Sequence, residues 1–404
     1  MNELKDLRVC IIVENLPCPF DRRVWQEAGS LRDAGAEVSI ISPKAKGYTE
    51  KYELLDGIHI YRHPLPAEAD SARGYLVEYS VALFWQLYLS IKIAMTRGID
   101  IIHGCNPPDL IFLVALPHKL FGTKFVFDHH DINPELYRAK FGKEGFFYKL
   151  ICMAERYTFK TANMCIATNE SYKEIAVTRG GQSPDDVHVV RSGPKLDRLK
   201  ILPAVDAYKK GKKYLVGYVG VMGKQEGVDG LLNAIDYIVR EKARTDIHFY
   251  LIGSGTEFDA LEQLMRDLNL EEFVTFTGRV PDDELLAILN TADVCVNPDV
   301  VNEMNEKSTM NKIMEYMALA KPIVQYEMTE GRFSAREASV YAAPNDEKDF
   351  AEKILSLLAD PELCKKMGDF GRERVVNELS WDYESPKLVA AYQQLAKSLK
   401  GRSA

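Results

Sequence analysis

The sequence predicts an α/β protein built from two doubly wound halves. Three observations carry this. Short, continuously apolar runs recur along the chain, each followed by a turn and then a helix-type segment, as in parallel sheets covered on both faces. The alternation stops at a charged stretch from Lys195 to Lys213, which contains Pro203 and Gly211, and restarts at Tyr214. At 404 residues the chain is too long for one ordinary core. The expected organisation is a first domain over 1–197, a linker over 198–213, a second domain over 214–380, and a helix over 381–404 that returns to the first domain.

In the first half, Arg8 to Val13 is a buried strand, and Asp21 caps a helix running through Trp25, Ala28 and Leu31. Val38–Ile41 and Ile58–Arg62 are strands, and 74–96 is a long, mostly buried helix. Asp100–His103 is a strand followed by the loop Asn106–Asp109. Lys124–Phe127 then leads into Asp128-His129-His130-Asp131. Pro134 suits the first turn of the next helix. Met164–Thr168 is a strand, Asn169 caps a helix, and His188–Arg191 closes the half.

The second half opens with Tyr214–Val219 and a glycine turn, Gly220 to Gly223, whose amides suit a phosphate. Phe249–Ile252 ends at a tight turn at Gly253, and Val274–Phe276 leads to Gly278-Arg279-Val280-Pro281. Val294–Val296 feeds the central stretch, 305–324. There Ser308 and Thr309 are expected N-caps of a helix carrying Ile313, Met314, Met317 and Ala318, and the strand Ile323-Val324 follows. Lys312 and Glu315 share a face near that N-terminus. Amides and a lysine suit phosphates there and a carboxylate suits ribose hydroxyls; the competing reading is an ordinary crossover helix with a surface ion pair.

Composition excludes several classes. A net charge of −8 and a pI near 5.6 argue against general nucleic-acid binding. Seven scattered cysteines without a C-x-x-C read as reduced, mostly buried thiols of a cytoplasmic protein. No signal peptide is expected, and no run approaches the ~20 apolar residues of a membrane span. Residues 137–153 interleave Arg138, Lys140, Lys143 and Lys149 with five aromatic residues. That suits peripheral contact with an inner membrane face, or equally an interdomain or core helix with solvated lysines. Arg22 and Arg23 read as a solvated helix face, or as groups meeting an anionic acceptor.

The central stretch resembles the donor-binding segment of GT-B glycosyltransferases of the family 4 type. Glu315-Tyr316-Met317-Ala318 and Lys321-Pro322-Ile323-Val324 match, while Lys307 and Ala320 stand where that family has glutamate and usually glycine. The run FDRRVWQEA resembles the opening of the bacterial polysaccharide-type members. His129-His130-Asp131 is similar to the family's strand-ending V-H-D triplet, which puts the catalytic role on His130 with Asp131 beside it. A metal site, with Asp and His on Zn or Mn, and plain structural capping are the other readings of that cluster. The family's basic pair for the diphosphate is replaced by Gly220-Val221 and Glu226-Gly227. The clamp is therefore expected from Lys224, Lys307, Lys312 and the turn Ser308, Thr309, Met310 and Asn311. Arg279 and Val280 inherit the nucleobase position, Gly253 a turn beside it, and Glu315 a place in the catalytic set.

The resemblance implies a GT-B fold with two Rossmann-like domains facing across a cleft. It also implies sugar transfer from a nucleotide diphosphate sugar, UDP-linked, to a glycan or lipid-linked acceptor. Retention, no metal and no cofactor beyond the nucleotide sugar follow from it. A sugar-nucleotide epimerase of the same fold, and a non-catalytic binder with a degenerate donor site, remain open at this point.

Overall fold

The computed structural model describes residues 3–45, 47–65, 72–142 and 144–400; side-chain placements of 72–77, Lys140 and Lys400 lie outside the description, as does Lys143. The chain divides into two compact units, Met1–Ser192 with Asp382–Ala404, and Gly193–Trp381.

The first unit is built on an eight-stranded sheet. Its strands are β1 (Arg8–Ile12), β2 (Glu37–Pro43), β3 (Tyr52–Leu55), β4 (Ile58–His63), β5 (Ile101–Cys105), β6 (Lys124–His129), β7 (Met164–Ala167) and β8 (Val187–Val189), in the order β3-β4-β2-β1-β5-β6-β7-β8. All pairings are parallel except β3 on β4. β1, β5 and β7 are apolar on both faces because helices cover both, and β3 is a half-exposed edge strand. Asp21 caps the helix Arg22–Asp33 by accepting from the Val24 N–H. From Asp382 onward the helix Trp381–Lys400 belongs to this unit. Its Glu384 accepts from the Arg191 N–H and its Ser385 hydroxyl bonds that of Ser30.

The second unit holds six parallel strands: β9 (Tyr214–Val219), β10 (Ile247–Ile252), β11 (Val274–Gly278), β12 (Val294–Asn297), β13 (Ile323–Tyr326) and β14 (Ser339–Ala342). Their order is β11-β10-β9-β12-β13-β14. The order reverses between β9 and β12, so a crevice for ligands is expected at their carboxyl ends. Phe249, Tyr218 and Phe350 fill the core on one side, Tyr316 and Ile313 on the other.

Several local expectations are corrected. Ser308 and Thr309 do not cap the central helix, Asn311–Ala318; Met310 occupies the cap position with no side-chain bond. The preceding residues form a separate turn of helix, Glu303–Lys307, capped by Asn302, and the Ser308 hydroxyl bonds back to the Met304 carbonyl. The stretch 137–153 is two helices, Asn133–Phe141 and Phe146–Thr161, because Gly142 takes a left-handed conformation at φ 62°. Residues 198–213 lie within the second unit, where Leu199 is buried and the Leu202 and Val205 N–H groups bond Asn290 and Thr291. No helix among the described residues is long and apolar enough to cross a membrane.

One contact at the carboxyl edge of the second sheet admits only glycine. Gly253 has φ +135°, and a Cβ there would sit 1.8 Å from the Gly220 carbonyl oxygen. Both the backbone angle and the space are closed to other residues. Gly253→Ala is expected to destabilise the protein by about 3 kcal/mol; thermal unfolding of the variant, read as a lowered Tm, checks this.

Candidate functional site

In the first unit the chemistry gathers at the carboxyl end of β6. Asp128 is wholly buried there and is the hub. It accepts from Arg23 (Nη2 to Oδ1, 2.9 Å), from His103 (Nε2 to Oδ2, 3.2 Å) and from His130 (Nε2 to Oδ2, 2.5 Å). Arg23 also reaches Glu27 at 3.0 Å, the Val190 carbonyl at 2.9 Å and the Ser192 hydroxyl at 3.1 Å. Expected as solvated, Arg23 is instead 9% exposed, because its helix turns this face to the sheet.

Charges here are set by burial against pairing. Burial alone would raise the Asp128 carboxyl, but the charges of Arg23 and His130 and its hydrogen bonds hold it well below the carboxylate range. Glu27, also buried, is pushed well above its ordinary value by desolvation, with Arg23 opposing and Asp128 adding to the rise.

His130 Nε2 also lies 3.0 Å from Arg23 Nε. It cannot donate to the carboxylate and accept from the guanidinium at once, and the shorter contact assigns its proton toward Asp128. Nδ1 is then the ring atom left for a substrate. The backbone is fixed as tightly: Asn106 Oδ1 accepts from the N–H groups of His130 (2.7 Å) and Asp131 (3.1 Å), and its Nδ2 donates to the Asp131 carbonyl at 2.7 Å. On the other side His103 Nδ1 meets the Tyr392 hydroxyl at 2.6 Å. The order Tyr392–His103–Asp128–His130 ties the C-terminal helix to the exposed edge of the cluster.

His129 is a different kind of histidine. It is buried among Phe127, Phe159 and Tyr172, and burial, helped by the Arg179 charge, pushes it down to about 3. The alternation of a strand sends it into the core and His130 to the edge. Two triads offer metal-ligand atoms within 4.8 Å of one another, Glu27 with Asp128 and His130, and His103 with Cys105 and Asp128. The guanidinium of Arg23 already lies against both carboxylates of the first triad.

In the second unit the groups lie around the turns after β9, β10 and β12. Gly220 N–H bonds the Ile252 carbonyl at 3.0 Å and Gly253 N–H that of Gly278 at 2.9 Å, which stitches the carboxyl ends of β9, β10 and β11 together. Lys312 Nζ is 2.5 Å from Asp299 Oδ1 and 5.1 Å from the centre of the Tyr218 ring. Asp299 is buried, which raises its carboxyl against the pull of Lys312. Glu226 folds back onto the Gly223 N–H at 3.1 Å; burial and the Asp299 charge raise it, and Lys312 opposes.

Lys312 and Glu315 share the helix but not a partner. Glu315 pairs with Arg198, which also reaches Asp282 at 3.4 Å. Arg198 was outside the expected site because it falls in a stretch without periodicity; its charge beside a proline-rich turn was the only signal. Lys224 and Val221 are exposed, Lys307 pairs with Glu303 at 3.2 Å, and Asn311 opens the helix. Arg279 is exposed and Val280 packs against the β10–β12 core.

Two stability predictions follow from the first-unit cluster. Arg23→Met leaves a buried carboxylate without its cation and is expected to cost about 3–5 kcal/mol in denaturant unfolding. His129 cannot take a proton when folded until about pH 3, whereas the unfolded chain takes one near pH 6.5. The folded state therefore loses stability as pH falls below that value, by about 2 kcal/mol from this residue between about pH 6.5 and pH 5. His129→Phe should remove that share of the acid sensitivity, measured by unfolding at both pH values.

The sequence model of the family described as Glycosyltransferase Family 4 matches residues 21–198, and that described as Glycosyl transferases group 1 matches residues 213–360. A 2-deoxystreptamine glucosyltransferase of Streptomyces kanamyceticus is 22% identical over 352 residues, 84% of this chain and 88% of the relative. The solved sucrose-phosphate synthase of Thermosynechococcus elongatus superimposes with a TM-score of 0.80 at 19% identity, covering 97% of this chain and all of that one. Anabaena HepE in complex with UDP-glucose gives 0.71 at 14% identity, covering 98% of this chain and all of that one. With one glycosyltransferase model on each half and the same fold throughout, the chain is a family 4-like glycosyltransferase with the GT-B fold.

Proposed function

We propose that the protein transfers a sugar from a nucleoside diphosphate sugar, UDP-linked, to a hydroxyl of a glycan or lipid-linked acceptor in polysaccharide or glycoconjugate biosynthesis. Transfer proceeds with retention and without a metal ion. The observation that carries this reading is Lys312, held by Asp299 at the stitched glycine turns. In this reading the turn amides and Lys312 meet the diphosphate. Arg279 and Val280 flank the base, and Glu315, oriented by Arg198, accepts from sugar hydroxyls. In the first unit the catalytic candidate is His130, whose ring Asp128 holds and whose Nδ1 suits a hydrogen bond to a hydroxyl. Where a metal might neutralise charge beside the histidine, Arg23 already does so. A lipid-borne acceptor would be met at a membrane surface, which the basic and aromatic residues of 137–153 suit.

A thermal-shift panel of nucleotides and nucleotide sugars tests the donor site. A saturating UDP-sugar is expected to raise Tm by about 5 °C, and Lys312→Ala to abolish most of that rise. A full rise in the variant removes Lys312 from the site. His130→Ala should keep the rise but slow transfer on the order of 10²-fold, measured as product formed under saturating donor. Glu226 and Asp299 both hold protons more readily than ordinary carboxyls, and a proton on either removes negative charge beside the phosphates. Donor affinity, followed by calorimetry, should therefore strengthen as the pH is lowered.

A further inference from the structure

Three helices of the first unit, Ala72–Thr96, Phe112–Lys119 and Phe146–Thr161, pack side by side. The Ser90 hydroxyl bonds His118 Nε2 at 3.0 Å between the first two, and Phe112 stacks on Tyr157 at 5.9 Å between the second and third. Their inner faces are buried in the ordinary way, through Ile93, Val114, Ala115 and Phe159. Their outer faces are apolar too. Leu113 and Leu116 lie at helical spacing on the middle helix, Leu120 caps its C-terminus and Phe121 follows; Leu120 is 85% and Phe121 90% exposed. Met95 on the first helix is 82% exposed, and Phe146 on the third 76%. A surface helix that shows leucine to solvent at every turn has no folding reason to do so and marks an interaction face.

Charge identifies the occupant. The whole chain has 51 Lys and Arg against 59 Asp and Glu. These three helices have six cations (Arg73, Lys92, Lys119, Lys149, Arg156 and Lys160) against two acids, and one of those, Glu155, is buried on Arg179. Lys92, Lys149, Arg156 and Lys160 are exposed beside the apolar residues. A two-fold contact between copies would set those cations against themselves. We infer that this face docks on the surface of an anionic lipid bilayer, with Leu116, Leu120 and Phe121 entering the acyl boundary and the lysines meeting phosphate headgroups. The strip at 146–153 is then one edge of a wider face centred on the middle helix.

Cosedimentation with vesicles tests this without donor or acceptor, so it stands apart from the transferase reading. The full chain should pellet with phosphatidylglycerol vesicles at low salt and remain in solution with pure phosphatidylcholine. Leu120→Glu with Phe121→Glu should lower the bound partition at least about tenfold with Tm unchanged, and Lys149→Glu with Arg156→Glu should do the same and weaken the salt dependence. These variants touch no catalytic group, so their transfer to a water-soluble acceptor should equal that of the parent chain. Failure of the full chain to bind anionic vesicles overturns the inference. So does a dimer in size-exclusion chromatography that the Leu120 and Phe121 substitutions dissolve, or protein capture on the same face without lipid binding.

Discussion

The first unit depends on one buried pair, Arg23 on Asp128. Burying a carboxylate is costly unless a cation and hydrogen bonds replace water. Asp128 has three donors, and the arginine that charges it is fixed in turn by Glu27, Val190 and Ser192. This gives the edge histidine a rigid anionic support. Glu27, pushed well above its ordinary value by burial, holds a proton more readily than Asp128 does. Tyr392 brings the end of the chain into the same arrangement, so the last helix is part of how the histidine is held.

The second unit solves a related problem with backbone. Its glycine turns approach so closely that Gly253 can carry no side chain, and their N–H and carbonyl groups hold one another. Three turns that cannot shift independently make a stiff rim at the carboxyl ends of β9, β10 and β11. Lys312 lies in the first turn of its helix, which starts at Asn311, one or two residues later than caps at Ser308 or Thr309 would set it.

The strands and most helices were legible because apolar runs and caps act locally: Asp21 and Asn169 form the caps expected of them. His130 was legible as a strand-end residue. Arg23 was not, since the sequence cannot show that two carboxylates 4 and 105 positions away would meet it. Asn106 and Arg198 were missed for the same reason, as both act across the fold from segments that lack periodicity. The start of the central helix was misplaced because Ser308 and Asn302 are both good caps, and tertiary packing chose Asn302 for a short preceding turn.

Charge placement then decides what the glycine rim carries in a chain lacking the family's basic pair. Glu226 stands where a lysine is usual, and left ionised beside Asp299 it would repel any anion. Asp299 is buried and Glu226 half-buried; both are raised, and Lys312 opposes the rise in each. Glu226 also occupies itself with the Gly223 N–H, so its charge is turned into the loop and away from the glycine rim. The substitution therefore puts a carboxyl beside the glycine turns, with Lys312, paired to Asp299, as the cation that opposes the rise of both carboxyls.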